Sequence, residues 1–114
     1  RDTLELSKKL CTVGWNTYAA MALPGTNLYK NALINGIELP DSYEGYSFHS
    51  YNTLPLRNEN LTAAEILEFR DRSFTDYHNY IPFLKKVELK FGKIAIDNIK
   101  KMTKVKLKRK ILNH

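Results

Sequence analysis

The apolar run in YAAMALPGTNLY, residues 18–29, stops at Pro24-Gly25 and gives way to a helical pattern. Proline fixes its own φ and glycine permits a chain reversal, whereas Thr26 carries a hydroxyl that can cap a helix start. Residues 12–22 (TVGWNTYAAMA) first alternate and then become small and apolar, which favours a strand buried on both faces. The sequence therefore predicts a strand, a sharp turn and a helix, in that order.

A helix start directly after a strand end is a common place for polar or anionic ligands in α/β proteins. This turn has one glycine and no following lysine, so it lacks both the dinucleotide-binding and the P-loop signatures. From the residues alone, a plain strand–helix turn is favoured over a ligand site, and both stay open.

Helical spacing elsewhere predicts a mainly helical chain. The predicted helices cover residues 2–10, 27–35, 62–80, 82–91 and 93–112. Thr62 and Glu65 have the spacing of a capping box, Pro82 suits a first helical turn, and Gly92 suits a helix end. Residues 104–111 (KVKLKRKI) also alternate, so an edge strand is a second possibility there.

Residues 37–61 show no sustained period but carry many aromatic side chains, including Tyr46 and Tyr51 around His49. Such a composition is unusual for a flexible linker and predicts an ordered lid or crossover segment.

The single cysteine, Cys11, excludes an internal disulfide and any CxxC metal site within these residues. Low cysteine use is typical of a reducing compartment, so we expect a cytoplasmic location. The longest apolar run, residues 19–24, is too short to span a bilayer. The three histidines lack the spacing of metal ligands, so the residues themselves predict neither a metal site nor a catalytic group.

Seven basic residues lie between positions 100 and 110, whereas the remaining 11 basic residues face 12 acidic ones. No aromatic side chain lies among these lysines, so a solvated helix face is favoured and no nucleic-acid binding is expected. The alternative is a small helical binding module that docks an acidic partner, RNA or a membrane surface through its basic C-terminal helix.

Four segments together resemble a known family. They are YAAMALPGTNLY, ELPDSYEGYSFHSYNTLPL, LTAAEILEFRDRSFTDY and FLKKVELKFGKIAIDNIKKMTKVKLKRKIL. In order and spacing they look like the C-terminal part of radical S-adenosylmethionine proteins that carry an N-terminal cobalamin-binding domain. The resemblance extends from about Thr3 to Leu112.

The resemblance implies an α+β, mainly helical fold: the last strand and helices of a partial (β/α) barrel, followed by a small helical cluster. It implies three parts, with the helix-strand-helix end of the barrel in residues 1–36, a connecting loop in 37–61 and a helical domain in 62–114. The substrate loop would include Tyr46, His49 and Tyr51. The residues implied on the adenine side of S-adenosylmethionine are Ala20, Met21, Leu23, Pro24, Gly25 and Thr26.

The family's CxxxCxxC motif, which binds a [4Fe–4S] cluster, is absent from this chain. The resemblance therefore implies a fragment of an iron–sulfur oxidoreductase or methyltransferase that is inactive alone and binds no cofactor itself. Its parent would use S-adenosylmethionine and the cluster, with or without cobalamin, and its partner would be the rest of the parent chain. A strand without its barrel neighbours would expose an edge through which two copies could pair. A purely structural appendage is a further alternative.

Overall fold

A computed structural model describes all 114 residues, and it contains helices but no strand. The five α-helices are α1 (Asp2–Leu10), α2 (Asn27–Ile34), α3 (Ala63–His78), α4 (Ile81–Phe91) and α5 (Lys93–Lys104). Two short 3-10 turns cover Tyr43–Tyr46 and Lys110–Leu112. None of the helices combines the length and apolar character that crossing a bilayer requires.

Local capping signals place the helix ends where the sequence predicts them. The Thr26 hydroxyl accepts a hydrogen bond from the Tyr29 N–H at the start of α2 (3.2 Å). At its end, the Ile37 N–H donates to the Ala32 carbonyl (2.9 Å), the bond that closes a helix followed by a left-handed residue. That residue is Gly36, with φ +61°.

The capping box before α3 is confirmed in both directions. The Thr62 N–H and hydroxyl each donate to the Glu65 carboxylate (both 2.8 Å), and the Glu65 N–H donates to the Thr62 hydroxyl (3.2 Å). Pro82 lies in the first turn of α4, as predicted.

The predicted α+β fold, with the last strand of a partial (β/α) barrel, is wrong because residues 12–22 form no strand. A strand requires a ladder of hydrogen bonds to a neighbouring strand. Here the Thr12 carbonyl accepts from the Tyr77 hydroxyl (2.7 Å), and the Ala20 carbonyl accepts from the Leu56 N–H (2.8 Å). These isolated bonds do not form a ladder. The strand edge on which the predicted dimer depends is therefore also absent.

The last helix is shorter than predicted, since α5 ends at Lys104 rather than at residue 112. Val105 (φ −73°, ψ 115°) and Arg109 (φ −134°, ψ 120°) both have extended backbone. Residues 105–109 pair with no strand, so the edge-strand alternative is wrong as well. The basic segment is thus helical only up to Lys104.

The chain packs as two compact units, and their bounds differ from simple sequence order. Unit 1 consists of Arg1–Thr17 and Asp71–Lys106, and unit 2 of Tyr18–Arg70 and Leu107–His114. The domain boundaries implied by the family resemblance, at residues 36 and 61, stay a prediction.

An aromatic cluster fills the interior of unit 1. The fully buried Tyr77 ring stacks on Trp15 at 5.7 Å between centroids and packs against Phe83 at 5.1 Å. His78 is also buried, and its Nδ1 lies 2.8 Å from the Phe74 carbonyl, so it is a hydrogen-bonded core histidine. These contacts hold Trp15 against α3 and the end of α3 against α4.

Candidate functional site

Unit 2 brings the predicted cofactor-side segment together with the aromatic loop. The Leu56 N–H bonds to the Ala20 carbonyl at 2.8 Å. The Tyr18 and Phe48 rings pack at 4.8 Å between centroids. The two segments that the family resemblance selects are therefore neighbours, although no strand joins them.

The turn before α2 holds itself closed. The Thr26 N–H (3.1 Å) and hydroxyl (2.7 Å) both donate to the Leu23 carbonyl, while the same hydroxyl caps α2. Gly25 has φ +88°, a backbone angle at which any side chain is strained. Pro24 is exposed beside it. Because the Thr26 hydroxyl already donates and accepts, its role is to shape the turn.

Among the residues that the resemblance places beside adenine, Met21 is the half-buried one with free main-chain groups, whereas Pro24 and Gly25 are exposed. The carbonyls of Ala20 and Leu23 are both engaged within the chain. The Met21 N–H and carbonyl form no hydrogen bond within it, and Met21 is half-buried. Main-chain groups of this kind pair with the edge of a planar heterocycle such as adenine.

A buried arginine organises the aromatic loop. The Arg109 guanidinium is fully buried. One of its nitrogens donates to the Ser50 carbonyl and to the Thr53 hydroxyl (both 2.9 Å), and the other donates to the Phe48 carbonyl (2.8 Å). We call Arg109 with these three residues the Arg109 clasp. The fork of N–H groups on arginine suits several acceptors at once, which a lysine ammonium does not.

Further hydrogen bonds make the loop an ordered structure, as the sequence predicts. The Lys110 N–H donates to the Tyr51 carbonyl and the Leu54 N–H to the Gly45 carbonyl, both at 2.9 Å. The Asn52 side-chain amide donates to the Glu44 carboxylate at 2.9 Å. No buried side-chain nitrogen or oxygen is left without a partner.

The three predicted loop residues lie in different environments. Tyr46 is partly buried; desolvation raises the pKa of its phenol above the usual value, and the neighbouring Tyr29 and Tyr43 raise that pKa further. Tyr46 therefore stays protonated and can donate a hydrogen bond. The His49 and Tyr51 side chains are exposed, and no hydrogen bond joins either one to the other site residues. The loop does not assemble a nucleophile with its base.

Metal binding finds no support in the arrangement of side chains. No group of three or more His, Cys, Asp or Glu residues is placed to hold an ion. Cys11 is half-exposed at the end of α1, where its carbonyl accepts from the Lys86 ammonium (2.9 Å). One thiol could supply at most one ligand of a three-cysteine cluster site.

Arg109 and Thr53 are the organising residues that sequence reasoning missed. Arg109 is the only arginine within a run of lysines, and it alternates with Leu107 in KVKLKRK. In an extended segment, alternate side chains point the same way. That pattern is the signal that could have separated one inward-facing arginine from the lysines around it.

No known protein family, no characterised protein and no solved structure shows significant similarity to this chain.

Proposed function

We propose that this chain is the non-catalytic C-terminal part of a radical S-adenosylmethionine enzyme of the type with an N-terminal cobalamin-binding domain. The proposal rests on the four segments that resemble this family, which cover residues 3–112. The partial-barrel strand is not part of the proposal. What the chain contributes is an ordered loop and a set of helices that close the parent enzyme.

The observation that carries this proposal is the exposed apolar surface of α2. Leu28, Leu33 and Ile34 are 51%, 58% and 81% exposed, and they point in different directions around the helix. Lys30 is the only charged residue of α2. A helix that is apolar on several sides is normally covered by protein. Docking on the rest of a parent chain would supply that cover.

Within the parent, the [4Fe–4S] cluster and S-adenosylmethionine would supply the radical chemistry. This chain would supply positioning groups. The Met21 main chain would pair with adenine, and the protonated Tyr46 phenol would donate a hydrogen bond towards substrate. The Arg109 clasp would hold the loop in one conformation, so that a bound substrate need not order it.

The coding sequence upstream of Arg1 directly tests the proposal that this chain is part of a larger enzyme. We expect it to encode a CxxxCxxC motif, preceded by a cobalamin-type domain. An in-frame start codon close to Arg1 would contradict the proposal, because the chain would then lack any cluster-binding residues of its own.

A second test uses the parent enzyme with α2 altered. Leu33→Gln with Ile34→Gln (L33Q/I34Q) should lower the yield of folded parent and its reductive cleavage of S-adenosylmethionine. The matched control is Leu89→Gln with Ile94→Gln (L89Q/I94Q), which removes the same two types of exposed apolar side chain from unit 1. Equal loss in both variants, or loss in neither, would reject α2 as the docking helix.

A further inference from the structure

The positive charge of the chain lies on one helical hairpin. Residues 81–106, which contain α4 and α5, carry eight lysines and only two carboxylates, an excess of six positive charges. The formal net charge of the whole chain is also +6, so the remaining residues balance one another. Exposed and uncompensated, this charge gives unit 1 a positive field that attracts anionic surfaces.

The point where α4 meets α5 adds apolar side chains to that charge. We call residues 89–94 (LKFGKI) the α4–α5 corner. A single residue, Gly92 with φ +80°, joins the two helices. Around it, Leu89, Phe91 and Ile94 are 90%, 54% and 78% exposed. Phe91 lies on the same side of α4 as the buried Val87 and, with Lys90, lines a shallow groove against residues 11–13. Leu89 and Ile94 are the two apolar side chains of the corner that lie outside this groove.

The lysines of the corner accompany these apolar groups. Lys90 and Lys93 are exposed, and neither forms an ion pair within the chain. The Lys90 ammonium lies 5.7 Å from the centre of the Phe91 ring. Apolar side chains beside long cationic ones are typical of segments that lie in a membrane interface.

We propose that the α4–α5 corner docks unit 1 on the surface of an anionic lipid bilayer. Leu89 and Ile94 enter the boundary between headgroups and acyl chains. Lys90 and Lys93 remain at headgroup level, where their ammonium groups meet lipid phosphates and carboxylates. The exposed lysines of α5 extend this contact; they are Lys100, Lys101 and Lys104.

A bilayer fits the corner better than the other anionic partners. RNA is bound by lysines and by stacking on aromatic faces. The one aromatic ring of the corner, Phe91, lines a groove and is flanked by the Lys90 ammonium, and the projecting leucine and isoleucine side chains offer RNA no contact. An acidic protein would need an apolar pocket shaped for this corner. A bilayer requires only apolar side chains in front of lysines. The inference concerns unit 1 and is independent of the function proposed above.

Vesicle co-sedimentation of the 114-residue chain tests this inference. Vesicles of phosphatidylcholine with phosphatidylserine should bind it, whereas pure phosphatidylcholine vesicles should bind at least about tenfold more weakly, because each nearby lysine gains from anionic lipid. L89Q/I94Q should weaken binding by about tenfold or more, since it removes two membrane-inserting side chains. L33Q/I34Q is the matched control and should change binding by less than about twofold, because α2 lies outside the corner.

A charge variant separates the lysines from the apolar contact. Lys90→Gln with Lys93→Gln should lower binding to anionic vesicles and make binding less sensitive to salt, since exposed charges are screened at high ionic strength. All altered side chains are exposed, so the far-UV circular dichroism spectrum of each variant should match that of the unaltered 114-residue chain.

Several outcomes would overturn the inference. They are failure to bind anionic vesicles, equal binding to neutral vesicles, and equal loss of binding in L89Q/I94Q and L33Q/I34Q. A competition experiment gives a further contrary outcome. If RNA or polyglutamate displaces the chain from vesicles, and displaces L89Q/I94Q equally well, the lysines alone form the binding surface for another anion.

Discussion

The interiors of the two units depend on different interactions: aromatic packing in unit 1 and hydrogen bonds from a buried arginine in unit 2. In unit 1 the Tyr77 ring packs against the rings of Trp15, His78 and Phe83. In unit 2 the Arg109 guanidinium donates hydrogen bonds to two carbonyls and a hydroxyl. Both side chains are fully buried. Ring packing is weakly directional, so it stabilises unit 1 without dictating one loop path. Hydrogen bonds from a planar guanidinium are directional, so they specify how the loop of unit 2 runs.

Removing the central ring of unit 1 should have the largest effect. Tyr77→Ala leaves a cavity among Trp15, His78 and Phe83, and large aromatic-to-alanine changes in cores cost about 4 kcal/mol. Tyr77→Phe keeps the ring and loses the hydroxyl, which bonds to the Thr12 carbonyl and lies 3.3 Å from the Thr12 hydroxyl, at a cost of about 1 kcal/mol. Urea unfolding followed by the fluorescence of Trp15 measures both. Similar losses in the two variants would show that the hydroxyl, not ring packing, stabilises unit 1.

Disrupting the Arg109 clasp should have the second-largest effect on stability. Arg109→Ala leaves two carbonyls and the Thr53 hydroxyl without their donor, at a cost of about 3 kcal/mol. Amide hydrogen exchange should accelerate at Leu54 and Lys110, whose N–H groups bond within the same loop. Lys108→Ala is the control, because an exposed neighbour should change stability by less than about 0.5 kcal/mol.

Arg109→Lys separates charge from geometry at the same site. The ammonium keeps the positive charge but lacks the planar fork of N–H groups by which two guanidinium nitrogens reach separate acceptors. We expect most of the Arg109→Ala loss to remain. Full stability in Arg109→Lys would mean that the buried charge alone holds the loop, and the contrast between directional and non-directional interiors would fail.

Local signals made part of this fold predictable. The Thr26 cap, the Gly36 helix end and the Thr62–Glu65 capping box depend on residues at most five apart, and each occurs where the sequence places it. The strand at 12–22 was predicted from the same kind of local pattern and is wrong, because a strand depends on a distant partner that this chain does not provide.

The Arg109 clasp could not be predicted from local sequence patterns either, because its partners are distant in sequence. Arg109 reaches Phe48, Ser50 and Thr53 across more than fifty residues of sequence. Within KVKLKRK, charge composition predicts a solvated face, and it is right for the exposed lysines. It fails at the one residue whose geometry allows several acceptors. The site residues Tyr46, His49 and Tyr51 were selected by resemblance, and their role stays a prediction.

The packing of the aromatic loop can be tested by a substitution that removes no hydrogen-bonding group. A Cβ on Gly45 would collide with the Pro40 ring, whereas a Cβ on Gly14 would meet no atom within 4 Å. Gly45→Ala should therefore lose about 2 kcal/mol, as overpacked sites do. Gly14→Ala is the control and should be close to neutral in urea unfolding. A neutral Gly45→Ala would mean that the loop can shift, and that the clasp fixes it less firmly than its hydrogen bonds suggest.

The smallest expected effect on stability concerns the capping box of Thr62 and Glu65. Its hydrogen bonds are directional, like those of the Arg109 clasp, but they are exposed to solvent. The pKa of the Glu65 carboxyl is lowered, first by the Thr62 N–H and then by the Thr62 hydroxyl. A lowered folded pKa means that the ionised carboxylate stabilises the start of α3 above the unfolded pKa of glutamate. This contribution is lost as pH falls through the folded pKa.

An NMR titration of the Glu65 side chain measures that shift. Its midpoint should lie below that of an ordinary glutamate, and Thr62→Ala should move the midpoint part of the way back up, because the hydroxyl is removed while the main-chain N–H remains. Glu65→Gln, which keeps capping ability but cannot titrate, should remove this part of the acid sensitivity of α3. If the midpoint of Glu65 equals that of an ordinary glutamate both with and without the Thr62 hydroxyl, then solvent screens the capping box completely. Directional bonding would then shape this chain only where, as at Arg109, it is buried.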